Sequence, residues 1–180
     1  MVKAVDLAEP DSAAALQLRL DNREIEPSIL VNNAGFGLSS AFLDQDPQRL
    51  RAMLQLDIVT LTELTQVFGK RMAGRGRGHI LLVASLAACQ PTPLLAAYGA
   101  AKAFVLSFGE ALHAELAPKV GVTVLSPGLM DTGFFEVSGY PQPLTGIRSC
   151  FASTPWATAC SIGIWIPPSC GNSSWVSWPG

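Results

Sequence analysis

The sequence has few cysteines and histidines, and none is arranged as a metal ligand. It contains four cysteines and two histidines, with no C-x-x-C pair, so no zinc-binding pattern is present. It has no sustained apolar run of the roughly 18 residues that a membrane span needs, and the first stretch, MVKAVDLAEPD, has no apolar leader segment. These absences predict a cytoplasmic protein with reduced cysteines, no metal site and no membrane partner.

Charged residues are also scarce. They make up 14% of the chain, and the net charge is −2, so there is no electrostatic reason to expect a nucleic-acid partner. The basic cluster KRMAGRGRGH at residues 70–79 is typical of a solvated helix end and turn. Hydrophobic residues account for 49% of the chain, which is enough apolar material for one buried core.

The composition changes sharply near residue 137. Arg148 is the only charged residue after Glu136, and all four tryptophans lie in that last part of the chain. Its Pro, Ser and Gly content and its lack of a sustained period predict an atypical, irregular tail over residues 137–180, with one short strand at 161–166. Residues 1–136 are predicted to form the ordered domain.

Strand-like and helix-like segments alternate within residues 1–136. Strands are predicted at residues 2–7, 28–31, 79–85 and 122–126, and helices at 10–20, 46–72 and 97–116. Such alternation predicts βαβ units and therefore an α/β fold with a parallel sheet. In these sheets reactive groups gather at the carboxyl ends of the strands, where Asn32, Asn33, Ser85 and the pair Pro127-Gly128 fall.

Two of the predicted helices are amphipathic. Residues 46–72 begin with an Asp-Pro cap, are expected to end near Met72 with Gly74 beyond, and carry an apolar stripe of Leu50, Leu54, Ile58, Leu61, Leu64 and Phe68. Asp57 falls on this stripe, where an isolated carboxylate would be costly to bury. The helix at 97–116 has a stripe that includes either Phe104 or Val105.

The stretch AAYGAAK places Tyr98 and Lys102 four residues apart. On a helix these positions share one face at about 6 Å, and a nearby ammonium lowers the pKa of a tyrosine from its usual value of about 10. Tyr98 would then serve as a general acid or base. Ser85, thirteen residues upstream at a strand end, supplies a hydroxyl for a substrate oxygen.

Four motifs together resemble the short-chain dehydrogenase/reductases. They are NNAG at 32–35, the serine that ends HILLVAS, YGAAK at 98–102 and PG at 127–128. The resemblance covers about residues 1–136 and implies a Rossmann-type, doubly wound parallel sheet. It also implies that hydride is transferred between a nicotinamide cofactor and a small-molecule carbonyl or alcohol. NAD(P) is the implied cofactor, with NADP favoured over NAD.

The resemblance assigns roles to individual residues. It implies that Tyr98 donates or accepts the proton, that Lys102 lowers the pKa of Tyr98 and binds the nicotinamide ribose, and that Ser85 orients the substrate. It also implies that Asp6 contacts the cofactor near the adenine. Contacts along the adenine ribose are implied for Asn33, Ala34 and Gly35. Contacts at the nicotinamide end are implied for Pro127, Gly128 and Thr132.

Asp57 departs from the family pattern, in which many relatives have an asparagine at this position. The main-chain carbonyl of that asparagine holds a water that relays protons to the lysine, and a main-chain carbonyl survives the change to aspartate. Asp57 is therefore either part of this catalytic relay or a structural polar residue bonded to a neighbouring strand.

The glycine-rich T-G-x-x-x-G-x-G turn, which binds the cofactor pyrophosphate in the family, occurs nowhere in the 180 residues. The chain is therefore expected to lack the first βαβ unit, roughly 30 residues or more. The alternative to an active oxidoreductase is a catalytically inactive fragment or a nonenzymatic interaction remnant. By the same resemblance, pairing through the two long helices predicts a homodimer or homotetramer.

Overall fold

A single mixed sheet organises the chain. The computed structural model describes residues 5–128, Ser138, and the strands at 163–166 and 174–177. Strands β1 (Ile29–Asn32), β2 (His79–Val83), β3 (Gly121–Ser126), β4 (Gly163–Ile166) and β5 (Ser174–Ser177) lie in that order in the sheet. β1, β2 and β3 run parallel, and β4 and β5 join antiparallel. The predicted α/β class with a parallel sheet is thereby confirmed.

The helices are α1 (Ser12–Asp21), α2 (Pro47–Leu54), α3 (Leu61–Arg75) and α4 (Ala96–Leu116). Short 3₁₀ helices cover Phe42–Asp44 and Leu86–Cys89. The core between sheet and helices contains buried aliphatic and aromatic side chains, among them Leu64, Phe68, Met72, Ile80, Leu82, Val105, Val122 and Val124. Burial of these apolar surfaces is the main stabilising contribution to the fold.

Some predicted boundaries differ from the structure. Of the strand predicted at residues 2–7, the described residues from Val5 onward form coil and a turn, and the rest lies outside the described residues. The strand predicted at 161–166 is present as β4, whereas β5 was not predicted. The domain boundary near residue 137 stays a prediction.

The long helix predicted at 46–72 is continuous but not uniformly α-helical. Asp46 caps its start by accepting a hydrogen bond from the Gln48 amide at 2.8 Å, with Pro47 in the first turn. Between α2 and α3 the six residues Gln55–Thr60 form a π-helical segment. The helix ends at Arg75, later than predicted, because Gly76 adopts the left-handed conformation that terminates helices.

The predicted apolar stripe of the long helix agrees with the structure in its second half. Leu61, Leu64 and Phe68 are buried, as is Asp57. Leu54 and Ile58 are only half-buried, and Met53 and Thr60 are buried instead. In α4 the buried stripe contains Val105, which is fully buried, and not Phe104, which is exposed.

Close contact between α4 and the sheet sets the position of the catalytic candidates. A Cβ at Gly109 would meet the side chain of Val124 and lie 3.0 Å from Leu82 Cδ1. Because Gly109 has no side chain, α4 can lie close to β2 and β3. The first turns of α4 carry Tyr98 and Lys102 to the carboxyl end of β2.

Candidate active site

The carboxyl ends of β1, β2 and β3 meet at one edge of the sheet. Asn32, Leu82 and Val124 are aligned across the three strands. The loops that follow are joined by a hydrogen bond in which the Leu86 amide donates to the Pro127 carbonyl at 3.1 Å. This arrangement brings the segments after each strand together, as expected from the sequence.

Ser85 lies immediately after β2, where it caps the 3₁₀ helix Leu86–Cys89. Its Oγ accepts a hydrogen bond from the Ala87 amide at 3.2 Å. Ser85 also hydrogen-bonds the Tyr98 side chain. The serine hydroxyl and the tyrosine phenol therefore share one small polar site.

Tyr98 and Lys102 occupy the first turns of α4, and both are buried. Lys102 Nζ lies 5.7 Å from the centroid of the Tyr98 ring. It donates a hydrogen bond to the Val83 carbonyl, at the end of β2, at 3.2 Å. The predicted proximity of the two side chains is present, but the lysine is anchored by the sheet.

Asp57 is the fourth charged or polar group of this cluster and is 0% exposed. Its Oδ2 lies 3.5 Å from Lys102 Nζ, and its Oδ1 accepts a hydrogen bond from the Phe36 amide at 3.3 Å. The Asp57 carboxylate is thus not isolated, and it is hydrogen-bonded to a residue in the loop after β1. A proton relay through its main-chain carbonyl stays a prediction.

The pKa of Tyr98 differs from the expectation based on sequence. Burial raises it to about 12; the hydrogen bond from Ser85 lowers it and the negative charge of Asp57 raises it. The expected lowering of the Tyr98 pKa is wrong for this structure, because burial is the largest cause of its shift and outweighs the opposing hydrogen bond from Ser85. Burial also raises the pKa of Asp57, and the Lys102 charge opposes that rise.

Two of the residues assigned to the adenine side of a cofactor, Asn33 and Ala34, directly follow the carboxyl end of β1. Asn33 and Ala34 are exposed and line a cavity of about 130 Å³, together with apolar side chains such as Leu7, Leu16 and Leu61. Asp6 is exposed and accepts a hydrogen bond from the Ala8 amide at 2.9 Å. It does not line the cavity, although its neighbour Leu7 does.

The remaining assigned residues lie nearer the catalytic cluster. A Cβ at Gly35 would lie 2.8 Å from Asp57 Oδ1 and 3.1 Å from Lys102 Nζ, so Gly35 packs directly on the buried ion pair. Pro127 contacts the start of the 3₁₀ helix through its carbonyl, and Gly128 is half-buried beside it. Thr132 lies outside the described residues.

Sequence reasoning missed several groups that hold the cluster together. The Val83 carbonyl and the Phe36 amide are main-chain groups, which no side-chain pattern signals. Asn32, expected among the strand-end residues, is buried and donates to the Leu61 carbonyl at 3.3 Å and to Thr65 Oγ1 at 2.8 Å. It therefore ties β1 to α3.

Neither a metal centre nor a membrane span is found in the part of the chain that the structure describes. Within it, His, Cys, Asp and Glu side chains form no group of three or more suited to a metal ion. No helix there combines the length and apolar character needed to cross a bilayer.

Comparisons with known proteins agree on one family. A family model described as short chain dehydrogenase matches residues 1–140. A probable oxidoreductase, EphD, of Mycobacterium tuberculosis is 34% identical over 143 residues, which cover 78% of this chain and 24% of the relative. The chain therefore spans about a quarter of this curated relative.

Solved structures show the same fold. A short-chain dehydrogenase from Sphingobium yanoikuyae in complex with NADPH superposes with a TM-score of 0.70 at 32% identity, covering 76% of this chain and 54% of that one. A bulky-bulky ketone specific alcohol dehydrogenase from Comamonas testosteroni gives a TM-score of 0.65 at 27% identity, covering 83% and 69%.

Proposed function

The chain belongs to the short chain dehydrogenase family of oxidoreductases, and from this we propose that it exchanges hydride between a nicotinamide cofactor and a small carbonyl or alcohol substrate. The observation that carries the proposal is the cluster at the carboxyl edge of the parallel sheet, in which half-buried Ser85 meets buried Tyr98 and Lys102. The NADPH complex and the ketone-specific neighbour support the cofactor class and the substrate class.

In the proposed reaction the side chains of this chain handle the proton. The Tyr98 phenol donates its proton to a substrate carbonyl oxygen during reduction and takes it back during alcohol oxidation. Ser85, already hydrogen-bonded to Tyr98, holds the same substrate oxygen and so orients it toward the phenol. When bound, the cofactor supplies or accepts the hydride.

We propose that a nicotinamide dinucleotide contacts residues at the carboxyl edge of the sheet. In this proposal Asn33 and Ala34, which line the cavity, contact the adenine ribose, and further contacts come from Asp6, Gly35, Lys102, Pro127, Gly128 and Thr132. NADP is the proposed cofactor, since the Sphingobium neighbour holds NADPH. The 180 residues contain no glycine turn for the pyrophosphate, and the alternative proposal is a catalytically inactive remnant.

Two tyrosine substitutions test the catalytic assignment. Tyr98→Phe removes the proposed proton donor, and Tyr140→Phe removes the only other phenol in the chain. General acid–base catalysis contributes roughly 10²–10⁴-fold, so Tyr98→Phe should reduce ketone-dependent NADPH oxidation by about that factor while Tyr140→Phe leaves the rate unchanged. Equal rates for Tyr98→Phe and the parental protein would exclude Tyr98 as the acid.

A binding titration separates the active enzyme from the remnant. NADPH or NADH fluorescence is followed as the purified chain is added, with thermal unfolding recorded in parallel. Saturable binding supports the oxidoreductase, and the tighter of the two cofactors identifies the preference. A cooperative unfolding transition without binding identifies the remnant.

We also propose a homodimer or homotetramer formed through the long helices. Val59, in the π-helical segment, and Phe104, on α4, are 41% and 37% exposed, and Phe104 stacks on Phe108. Such exposed apolar groups suit an interface between helices. Light scattering tests this, and a monomeric mass would contradict it. The cytoplasmic location stays a prediction.

A further inference from the structure

The buried carboxylate of Asp57 has no part in the relay that the family resemblance implies. That relay uses a main-chain carbonyl, which any residue at this position supplies. A neutral side chain would avoid the cost of burying a charge, yet Asp57 is 0% exposed. Its side chain therefore requires a separate explanation.

The packing around Asp57 fixes the position of Lys102. The carboxylate lies 3.5 Å from Lys102 Nζ, and the ammonium also donates to the Val83 carbonyl at 3.2 Å. Gly35 closes over both groups, because a Cβ there would lie 2.8 Å from the carboxylate and 3.1 Å from the ammonium. Groups from the π-helical segment, β2 and the loop after β1 thus hold the lysine.

The pair also determines which net charge Tyr98 experiences. An ammonium near the phenol favours the phenolate, and a carboxylate beside that ammonium opposes the effect. We propose that Asp57 is a positioning residue that acts through its side chain, by fixing the Lys102 ammonium and offsetting its charge toward Tyr98. This inference rests on the proposed function, in which Tyr98 exchanges the proton.

Within the described part of the chain, the titratable groups that face Asp57 are Lys102 and Tyr98, both on α4. The neutral Phe36 amide faces it from the loop after β1. Burial together with the Asp57 charge keeps the Tyr98 pKa high. Replacement of Asp57 by asparagine leaves the main-chain carbonyl and the shape of the side chain, removes the charge and turns one acceptor oxygen into an NH2 donor.

Titration of the phenol itself provides a test without cofactor or substrate. In a Tyr140→Phe background Tyr98 is the only tyrosine, so phenolate absorbance reports its ionisation, with circular dichroism confirming the fold at each pH. Asp57→Asn should lower the Tyr98 midpoint by roughly one pH unit or more. Glu63→Gln removes a carboxylate from α3 and should leave the midpoint unchanged.

A double variant checks the offset of the two charges. Asp57→Asn combined with Lys102→Met removes both, so its midpoint should remain close to the parental value. A midpoint unmoved or raised in Asp57→Asn overturns the proposal. A double variant whose midpoint differs from the parental value by roughly one pH unit or more also overturns it, and this second measurement decides the matter if Asp57→Asn does not fold.

The outcomes separate this inference from the proposed function. A shifted midpoint in a chain without ketone-dependent NADPH oxidation would support the positioning role and count against the activity. Turnover that depends on Tyr98, with no shift in the Asp57→Asn midpoint, would support the activity and overturn the positioning role.

Discussion

Replacement of Lys102 by methionine should destabilise the fold strongly because it leaves Asp57 buried without its partner. Asp57 is 0% exposed and Lys102 5% exposed, so solvent cannot take over the lost interaction. Removal of one member of a buried ion pair costs roughly 3–5 kcal/mol. The Phe36 amide still donates to Asp57, which places the expected loss near the lower end, at about 3 kcal/mol.

The loss should depend on pH in a defined direction. Lys102 opposes the rise in the Asp57 pKa caused by burial, so in Lys102→Met that pKa rises further. The folded state then binds a proton that the unfolded state releases, and stability falls as pH increases between the unfolded and folded pKa values. The deficit relative to the parental protein should therefore grow as pH rises above the unfolded pKa of an aspartate, about 3.9, and shrink as pH falls toward it.

Urea unfolding at several pH values measures this deficit. Asp57→Asn combined with Lys102→Met is the matched control, since it removes the buried charge and should recover most of the loss. A free energy of unfolding for Lys102→Met within about 0.5 kcal/mol of the parental value near about pH 8 would refute the reasoning. So would a deficit that stays constant with pH.

Further predictions concern helix packing and the phenol. Gly109→Ala should destabilise by about 1–2 kcal/mol in urea unfolding, because overpacking against Val124 and Leu82 exceeds the gain in helix propensity. Gly74→Ala, whose Cβ would meet nothing within 4 Å, should stabilise by roughly 0.5–1 kcal/mol, and the same sign for both variants would contradict this. The Tyr98 pKa is raised to about 12, so the parental protein should lose up to roughly 3 kcal/mol of unfolding free energy between about pH 10 and 12 through this phenol. Tyr98→Phe should not show this part of the loss. Parallel loss in both proteins would contradict it.

The parallel strands and the helices could be predicted because their signals are local. Buried strands such as 28–31 are short apolar runs that end at polar or glycine residues, and the Asp46-Pro47 cap marks a helix start to the residue. Tyr98 and Lys102 could be placed together because four-residue spacing on a helix fixes their common face.

The middle of the long helix could be predicted only in part from spacing. A regular period of 3.6 residues places Leu54 and Ile58 in the core, where the structure leaves them half-buried, and the π-helical segment Gln55–Thr60 departs from that period. Asp57 lies on the predicted stripe and is buried, but spacing does not reveal its contact with Lys102. The sign of the Tyr98 pKa shift was missed because it depends on burial and on the charge of Asp57, which comes from a distant segment.

The outer edge of β1 has a consequence for handling the protein. Among the described strands β1 pairs only with β2, and its apolar residues Ile29 and Val31 are 67% and 54% exposed. An uncovered edge strand presents unpaired amides and carbonyls on which another chain can add a strand. Concentrated solutions of this chain are therefore prone to aggregate through β1, and a charged residue in place of Val31 would oppose such strand addition.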